Sequence, residues 1–406
     1  IILYLENLKM INNLDILISK YGAPNILIDH WDSKSTGYAI WGYDENILWN
    51  YNGLYISDKK VTANLDVVQD AINTWKNQSS DISGVGFISY NFKNILFPHL
   101  NFKNYNKNFP YLFFVKPKLV KKYKIEKNDV KNVSLKLKKD FIEYKKYKIK
   151  LDKIKEELKN GNAYQINFTN NKEYICFDDG FKTYMNLRLE SKPKYGFYIK
   201  HEDFQILSFS PELFFKRENN HIESYPMKGT MGRSNNSVDD NKLKLKLKKS
   251  LKDKAEHLMI VDLLRNDIGK IANPGTVSVD KLYEIKSYKT VHQMISRVRG
   301  KLDSSINEID IIKALFPGGS VTGAPKESAM KIIDNIEDYS RDLYTGSIGY
   351  IKSNGDLNFN VAIRTMTINN NIATYPVGGG IVWDSTSQNE WDEAQLKSKI
   401  LTSILK

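Results

Sequence analysis

The chain of 406 residues contains one cysteine, Cys176, which excludes an internal disulfide framework and any cysteine-built metal cluster. That economy suits a reducing compartment, and a cytoplasmic location is expected. No apolar stretch approaches the ~20 residues that a membrane-spanning helix needs. The opening Ile1-Ile2-Leu3-Tyr4-Leu5-Glu6 lacks a basic region running into an apolar core and a small-residue cleavage site, so neither signal peptide nor anchor is expected. Acidic residues fall short of basic ones, 47 against 60, leaving a net charge of +13. The lysines concentrate between Lys116 and Lys159 and again around Lys242 to Lys254, without a recognisable binding motif among them. They read as a solvated face, and neither nucleic acid nor membrane is expected as a partner.

Hydrophobic residues make up 41% and charged residues 26%, so a large core can be buried and the disordered and collagen-like classes are excluded. A chain of this length forms two lobes or one large layered unit. Up to about residue 115 it reads as short strands and turns, with Tyr38 to Trp41 and Gly84 to Tyr90 as the clearest apolar runs. The lysine-rich segment 116–140 is linker-like. A helix is expected from about Phe141 to Leu158, stopped by Asn160-Gly161. Beyond it, strands near Tyr164 to Phe168, Phe197 to Ile199, Ile206 to Phe209, Gly346 to Ile351 and Val361 to Thr367 alternate with helices near Lys254 to Ile268, Pro325 to Ile336 and Gln388 to Leu405. That mixture argues an α/β or α+β layered fold.

Four segments carry chemistry. Leu315 to Lys326 reads LFPGGSVTGAPK, where glycines bare the backbone to a ligand and Pro325 opens a helix whose free N–H groups attract anions. It is not a phosphate-binding P-loop, because Ala324 stands where the lysine is required. Pro376 to Val382 carries Gly378-Gly379-Gly380 and leads to Ser387 and Glu390, whose spacing is that of a capping box. Glu390, Glu393 and Lys397 share one helical face, as a surface pair or a metal site would.

In Ala255 to Asp267, Glu256 heads a stripe with Ile260, Leu263 and Asp267, so its carboxylate turns inward and must be neutral, paired or metal-bound. Oxygen ligands from Glu256 and Glu393 would suit Mg²⁺. The fourth segment joins Ser210-Pro211-Glu212 to Pro226-Met227-Lys228-Gly229-Thr230. Burial at a strand end could raise the Glu212 pKa toward general-acid use, and a lysine beside a metal or another cation can be held neutral and nucleophilic. His292, in Thr290-Val291-His292-Gln293-Met294, reads as a packed histidine until a partner is shown.

In this order the strings FPGGSVTGAPK, AEHLMIVDLLRNDIG, SPELFF, YTGSIGY, NVAIRT and GGGIVWDS resemble the chorismate-utilising enzymes, over roughly residues 140 to 405. That family comprises anthranilate, aminodeoxychorismate, isochorismate and salicylate synthases. The resemblance implies an α+β, layered α/β/β/α fold of two packed sheets flanked by helices. Residues 1–140 would form an N-terminal region of that fold and 141–406 the chorismate-binding catalytic region. Members that use water carry a lysine where this chain has Gln165, so ammonia is the implied nucleophile. Anthranilate synthases read Pro-Ile-Ala-Gly-Thr around position 228, whereas Lys228 resembles the aminodeoxychorismate synthase component I branch. Anthranilate synthase component I is the alternative, and a basic nucleic-acid-binding protein the non-enzyme one. One departure is Met231-Gly232-Arg233, which keeps only the last residue of the family's Arg-Pro-Arg.

The roles implied by that resemblance follow residue by residue. Lys228 attacks chorismate, Glu212 protonates the departing hydroxyl and His292 lines the ring as a third catalytic residue. Gln165, Gly229, Thr230, Thr322, Gly323, Tyr344, Arg364, Gly378, Gly379, Gly380 and Lys397 bind substrate. Glu256, Glu390 and Glu393 hold Mg²⁺. The implied product is 4-amino-4-deoxychorismate, a folate and para-aminobenzoate precursor. Its ammonia would come from a separate glutamine amidotransferase subunit in a heterodimer.

Overall fold

Two long strands, Thr36–Asn50 and Leu112–Lys124, set the frame by pairing antiparallel from Thr36↔Lys124 to Trp49↔Leu112. In the computed structural model, which describes residues 12–402 apart from 33–34, 80, 104–105, 127–132 and 289–290, this pair belongs to both halves of one folded-over ladder. A bulge between Tyr43 and Glu45, next to Gly42 at φ 63°, bends the pair and lets its ends diverge.

From one end the ladder continues through Ile26–His30, Tyr195–Lys200, Gln205–Ser210, Thr365–Asn369, Ile372–Ile381, Gln165–Cys176 and Leu135–Lys139. From the other it runs through Ile82–Ile88, Ser347–Lys352, Leu357–Val361, Leu213–Glu218, His221–Ser224 and Val291–Lys301. Met227–Gly232 and Ser278–Ser287 both pair with Val291–Lys301.

The halves pack face to face. Ile28, Ile40, Phe197 and Ile206 of one meet Val85, Phe87, Phe113 and Ile348 of the other in a single apolar cluster. Each outer face is covered by helices. On one side Leu151 and Ile154 of the helix Tyr144–Lys159 join Ile332 and Ile333 of the helix Lys326–Ile336. On the other, Ile72 of Leu65–Gln78, Ile260 and Leu264 of Leu251–Gly269 and Ile311 of Glu308–Leu315 share a second cluster. The architecture is therefore the layered α/β/β/α arrangement. Each fully buried Leu, Ile or Phe contributes roughly 1.5–3 kcal/mol.

The helix Tyr144–Lys159 follows the expected amphipathic reading: Tyr147, Leu151, Ile154 and Leu158 are buried, and Gly161 at φ 76° lies just beyond its end. The lysine-rich segment does not form a linker. Leu112–Lys124 and Leu135–Lys139 are ladder strands with exposed or half-buried lysines, and the first also holds the fully buried Tyr123. Composition alone cannot separate such a strand from a linker, whereas pairing to Thr36–Asn50 and Gln165–Cys176 does. The last expected helix is Ser387–Thr402, and its projected end at Leu405, like Ile1 to Glu6, lies outside the described residues. Among the described residues no helix is long and apolar enough to cross a membrane.

Candidate active site

Twice the chain passes between the two halves at the same place. Pro211 and Glu212 link Gln205–Ser210 to Leu213–Glu218, and Ala362 to Arg364 link Leu357–Val361 to Thr365–Asn369. Pro211 has no N–H to extend the ladder, so the strand stops there. The crossings are stitched together: the Val361 N–H donates to the Glu212 carbonyl at 3.0 Å and the Phe209 N–H to that of Arg364 at 2.9 Å. The Ser210 hydroxyl adds a bond of 2.6 Å to the Val361 carbonyl.

Glu212 is thereby buried, 8% exposed, with the Ser320 hydroxyl donating to it at 3.2 Å. Burial raises its pKa to about 7, against the opposing effects of Ser320 and of the Lys228 and Lys397 charges. Lys228 arrives from Met227–Gly232, where Gly229 at φ 74° creates a bulge between Lys228 and Thr230. Only a residue tolerant of that conformation lets the strand turn its lysine inward here. Burial lowers the Lys228 pKa, the nearby Lys397 cation adds to the effect, and Glu256, Glu212 and Glu393 oppose it.

Beneath the amine lies the glycine run. A Cβ on Gly380 would stand 2.9 Å from Lys228 Nζ and 3.0 Å from Gln165 Cδ. A Cβ on Gly379 would stand 3.5 Å from Lys397 Nζ and 3.6 Å from a Glu390 oxygen. Gly378 pairs with Thr169 so closely that no side chain fits, and its carbonyl accepts from Lys397 at 3.1 Å. Gln165 is fully buried, and among the described residues neither its amide nitrogen nor its oxygen has a hydrogen-bond partner. Such an amide beside an open backbone floor calls for a polar ligand.

The acids come from two helices. Glu256 lies on Leu251–Gly269, and Glu390 and Glu393 on Ser387–Thr402. The capping-box reading of Glu390 fails: its carboxylate accepts instead from the Ser385 hydroxyl at 2.6 Å. Burial raises the pKa of Glu256 and of Glu390, with the Glu393 charge adding to both. Glu393 is held low despite burial, because the Lys397 ammonium lies 2.7 Å away. Among the described residues no group of three acids, histidines or cysteines is already gathered tightly enough to hold a metal. The mutual repulsion of these carboxylates is nevertheless what a cation relieves, and oxygen-only donors fit a hard ion such as Mg²⁺.

The remaining expected residues divide. Thr322 is fully buried and Gly323, at φ 142°, pairs with Ile166, so their loop is laced to the strand that starts at Gln165. The Arg341 guanidinium ties this region together, donating to the Val321 carbonyl at 3.0 Å and the Asn167 carbonyl at 2.5 Å while paired with Glu337. Tyr344 is buried on the turn that follows. Arg364, at φ 49°, sits near Tyr375 with its pKa lowered by burial, and makes no hydrogen bond or ion pair through its side chain among the described residues. An unpaired, largely buried guanidinium is an anion receptor. Thr230 is exposed beyond the bulge.

His292, paired with Met231 on the strand that flanks Lys228, has Nε2 3.0 Å from Asp240 and Nδ1 2.8 Å from the Ser287 hydroxyl. Conversely, His257 was not singled out, although it follows Glu256 directly. It is fully buried, its Nε2 lies 2.7 Å from the Ser296 hydroxyl, and burial together with the Lys228 charge lowers its pKa to about 4. Ser320 and Ser385 were also passed over; their signal was their place inside loops already marked by glycine and acid.

An anthranilate synthase component 1 from Saccharolobus solfataricus is 40% identical over 250 residues, covering 62% of this chain and 59% of that protein. An aminodeoxychorismate synthase component 1 from Salmonella typhimurium is 38% identical over 247 residues, covering 61% and 54%. The matched segment thus spans little more than half the length of these relatives. The crystal structure of anthranilate synthase component I from Streptococcus pneumoniae superposes with a TM-score of 0.79 at 25% identity, covering 90% of this chain and 92% of that one. The sequence profile of the chorismate binding enzyme family matches residues 121–403, and the chain belongs to that family.

Proposed function

We propose that this protein aminates chorismate at ring carbon C4, acting as component I of an aminodeoxychorismate synthase. The observation that carries the reading is the pairing of a lysine whose pKa is lowered, Lys228, with a carboxyl whose pKa is raised to about 7, Glu212, across a floor of glycine backbone. An anthranilate synthase needs no amine at this position.

The neutral Lys228 amine forms a bond to C2 as the ring double bond shifts and the C4–O bond breaks. Glu212 gives its proton to the departing hydroxyl, which leaves as water. The new secondary ammonium returns a proton to the Glu212 carboxylate. Ammonia then bonds to C4, the double bond shifts back, and the C2–N bond breaks as Glu212 protonates the leaving nitrogen, releasing the neutral lysine amine; the new C4 ammonium returns that proton to Glu212, with pyruvate retained on the ring. Splitting one hard substitution into two aligned steps is what a covalent relay accomplishes. The Arg364 guanidinium takes a substrate carboxylate and the Gln165 amide a ring oxygen. A divalent cation such as Mg²⁺, held by Glu256, Glu390 and Glu393, supplies neutralisation of a carboxylate when bound. A glutamine amidotransferase subunit is the proposed source of ammonia.

The test is mass analysis after incubation with chorismate, Mg²⁺ and ammonium. 4-Amino-4-deoxychorismate, together with a covalent adduct on wild-type protein that Lys228→Ala abolishes, supports the reading. Fluorescent anthranilate with released pyruvate assigns the chain to the other branch and overturns it.

A further inference from the structure

The residue that sequence placed at the substrate ring, His292, has both nitrogens committed to another task. A carboxylate only accepts, so His292 Nε2 must carry the proton it donates to Asp240, and Nδ1 accepts from the Ser287 hydroxyl. Asp240 is a hub. Its two oxygens also receive Arg233 Nε at 2.8 Å, Arg233 Nη2 at 2.7 Å and the Ser234 N–H at 3.0 Å. Arg233 Nη1 reaches on to the Tyr288 carbonyl at 2.5 Å.

These bonds fasten one particular helix. Asp240 lies in the first turn of Ser237–Lys249, whose sole buried side chain is Leu247. The partners at its N-terminal end belong to the exit of the Lys228 strand and to the hairpin formed by Ser278–Ser287 and Val291–Lys301. At its other end Leu247 lies against Gly229, where an added Cβ would stand 3.1 Å from Leu247 Cδ1 and 3.0 Å from Asp253 Oδ1. The chain then turns at Ser250, which caps the helix bearing Glu256. With one apolar anchor and one polar clasp, the helix is a strap across Gly229, fastened at both ends and weakly packed between them. An element with so little buried surface opens easily unless its polar anchor holds.

We propose that Asp240 and His292 are positioning residues. Their clasp holds the helix Ser237–Lys249 across the Gly229 bulge and so shapes the substrate side of the Lys228 strand. The substrate half of this inference rests on the chorismate reading; the clasp itself does not.

Two measurements separate the halves. Hydrogen–deuterium exchange over residues 237–249, without ligand, reads the clasp. Asp240→Ala and His292→Phe, which fills the volume but donates nothing, should each speed exchange there at least tenfold, whereas His292→Gln, which can still donate to Asp240, should stay within about threefold of wild type. The double variant Asp240→Ala/His292→Phe should exchange no faster than Asp240→Ala alone, since removing Asp240 already breaks the bond that His292 makes. Unchanged exchange in both single variants, or additive effects in the double one, overturns the clasp. Where a single variant fails to fold, Asp240→Asn, which keeps the volume but not the charge, and His292→Leu, which cannot donate to Asp240, carry the comparison.

Titration with chorismate reads the coupling. The Kd and the KM should rise about tenfold in Asp240→Ala and His292→Phe, with kcat falling by less than KM rises. A hundredfold loss of kcat at unchanged KM would place His292 at the reacting ring and overturn the positioning role. Faster exchange with an unaltered Kd would overturn the link from strap to substrate. If the wild-type protein binds no chorismate, the functional reading fails and the substrate half falls with it, while exchange still judges the clasp.

Discussion

The Lys228 amine rests directly on Gly380, at a distance that leaves no room for even one methyl group: an added Cβ would sit 2.9 Å from Nζ. The two residues are 152 positions apart and belong to different halves of the ladder. Gly380 pairs as an ordinary strand residue, so Gly380→Ala should leave the fold intact and displace the amine. A misplacement of this size costs on the order of 10²-fold in rate. Unchanged circular dichroism with a covalent adduct that forms much more slowly is the expected result. An adduct rate equal to wild type would remove the amine from that spot.

Glu212 gives a pH dependence of defined sign. As the acid it must be protonated, so kcat should fall as pH rises through about 7, and Glu212→Gln should lose roughly 10²–10⁴-fold in rate. The same shift acts on stability. Between its ordinary value of 4.5 and about 7 the native state binds the proton more tightly than the unfolded chain, so the contribution is full below that window and lost as pH climbs through it. Glu212→Gln should therefore melt higher than wild type at pH 8 and level with it at pH 4. Equal melting temperatures at both would show that the carboxyl is not buried.

Arg364 should contribute through its fork rather than its charge alone. Charge-assisted hydrogen bonds contribute roughly 1.5–3 kcal/mol, so Arg364→Lys should raise the chorismate KM by about 10–100-fold with a smaller change in kcat. A KM within twofold of wild type would show that no carboxylate docks there.

Glu393→Gln tests the ion. Removing one ligand charge should move the midpoint of the Mg²⁺ activation curve upward by at least about tenfold. It should also free Lys397, which is held 2.7 Å from Glu393. A superimposable metal titration would reassign the ligand.

Much of the site was legible because its signals are local. The Pro226-Met227-Lys228-Gly229 run holds both the amine and the glycine that the bulge requires, and the helix Tyr144–Lys159 shows its buried stripe in its own spacing. Three things were not legible. The lysine-rich strand Leu112–Lys124 looked like a linker until its pairing partners were known. Ser385, not the expected Ser387, holds Glu390, because a cap depends on where the helix begins. The partner of His292, Asp240, 52 positions earlier, was not foreseen, because it arrives on a separate helix.

Residue identity and order alone determined the family and the chemical inventory: acids, a lysine, an arginine and bare glycine backbone. Which of these groups meet was decided by tertiary structure. A pKa and a reach of a few ångströms depend on neighbours delivered through space, and here the folding-over of one ladder brings Gln165, Lys228 and Gly380 from separate strands, and Glu212 from a connection, into each other's neighbourhood.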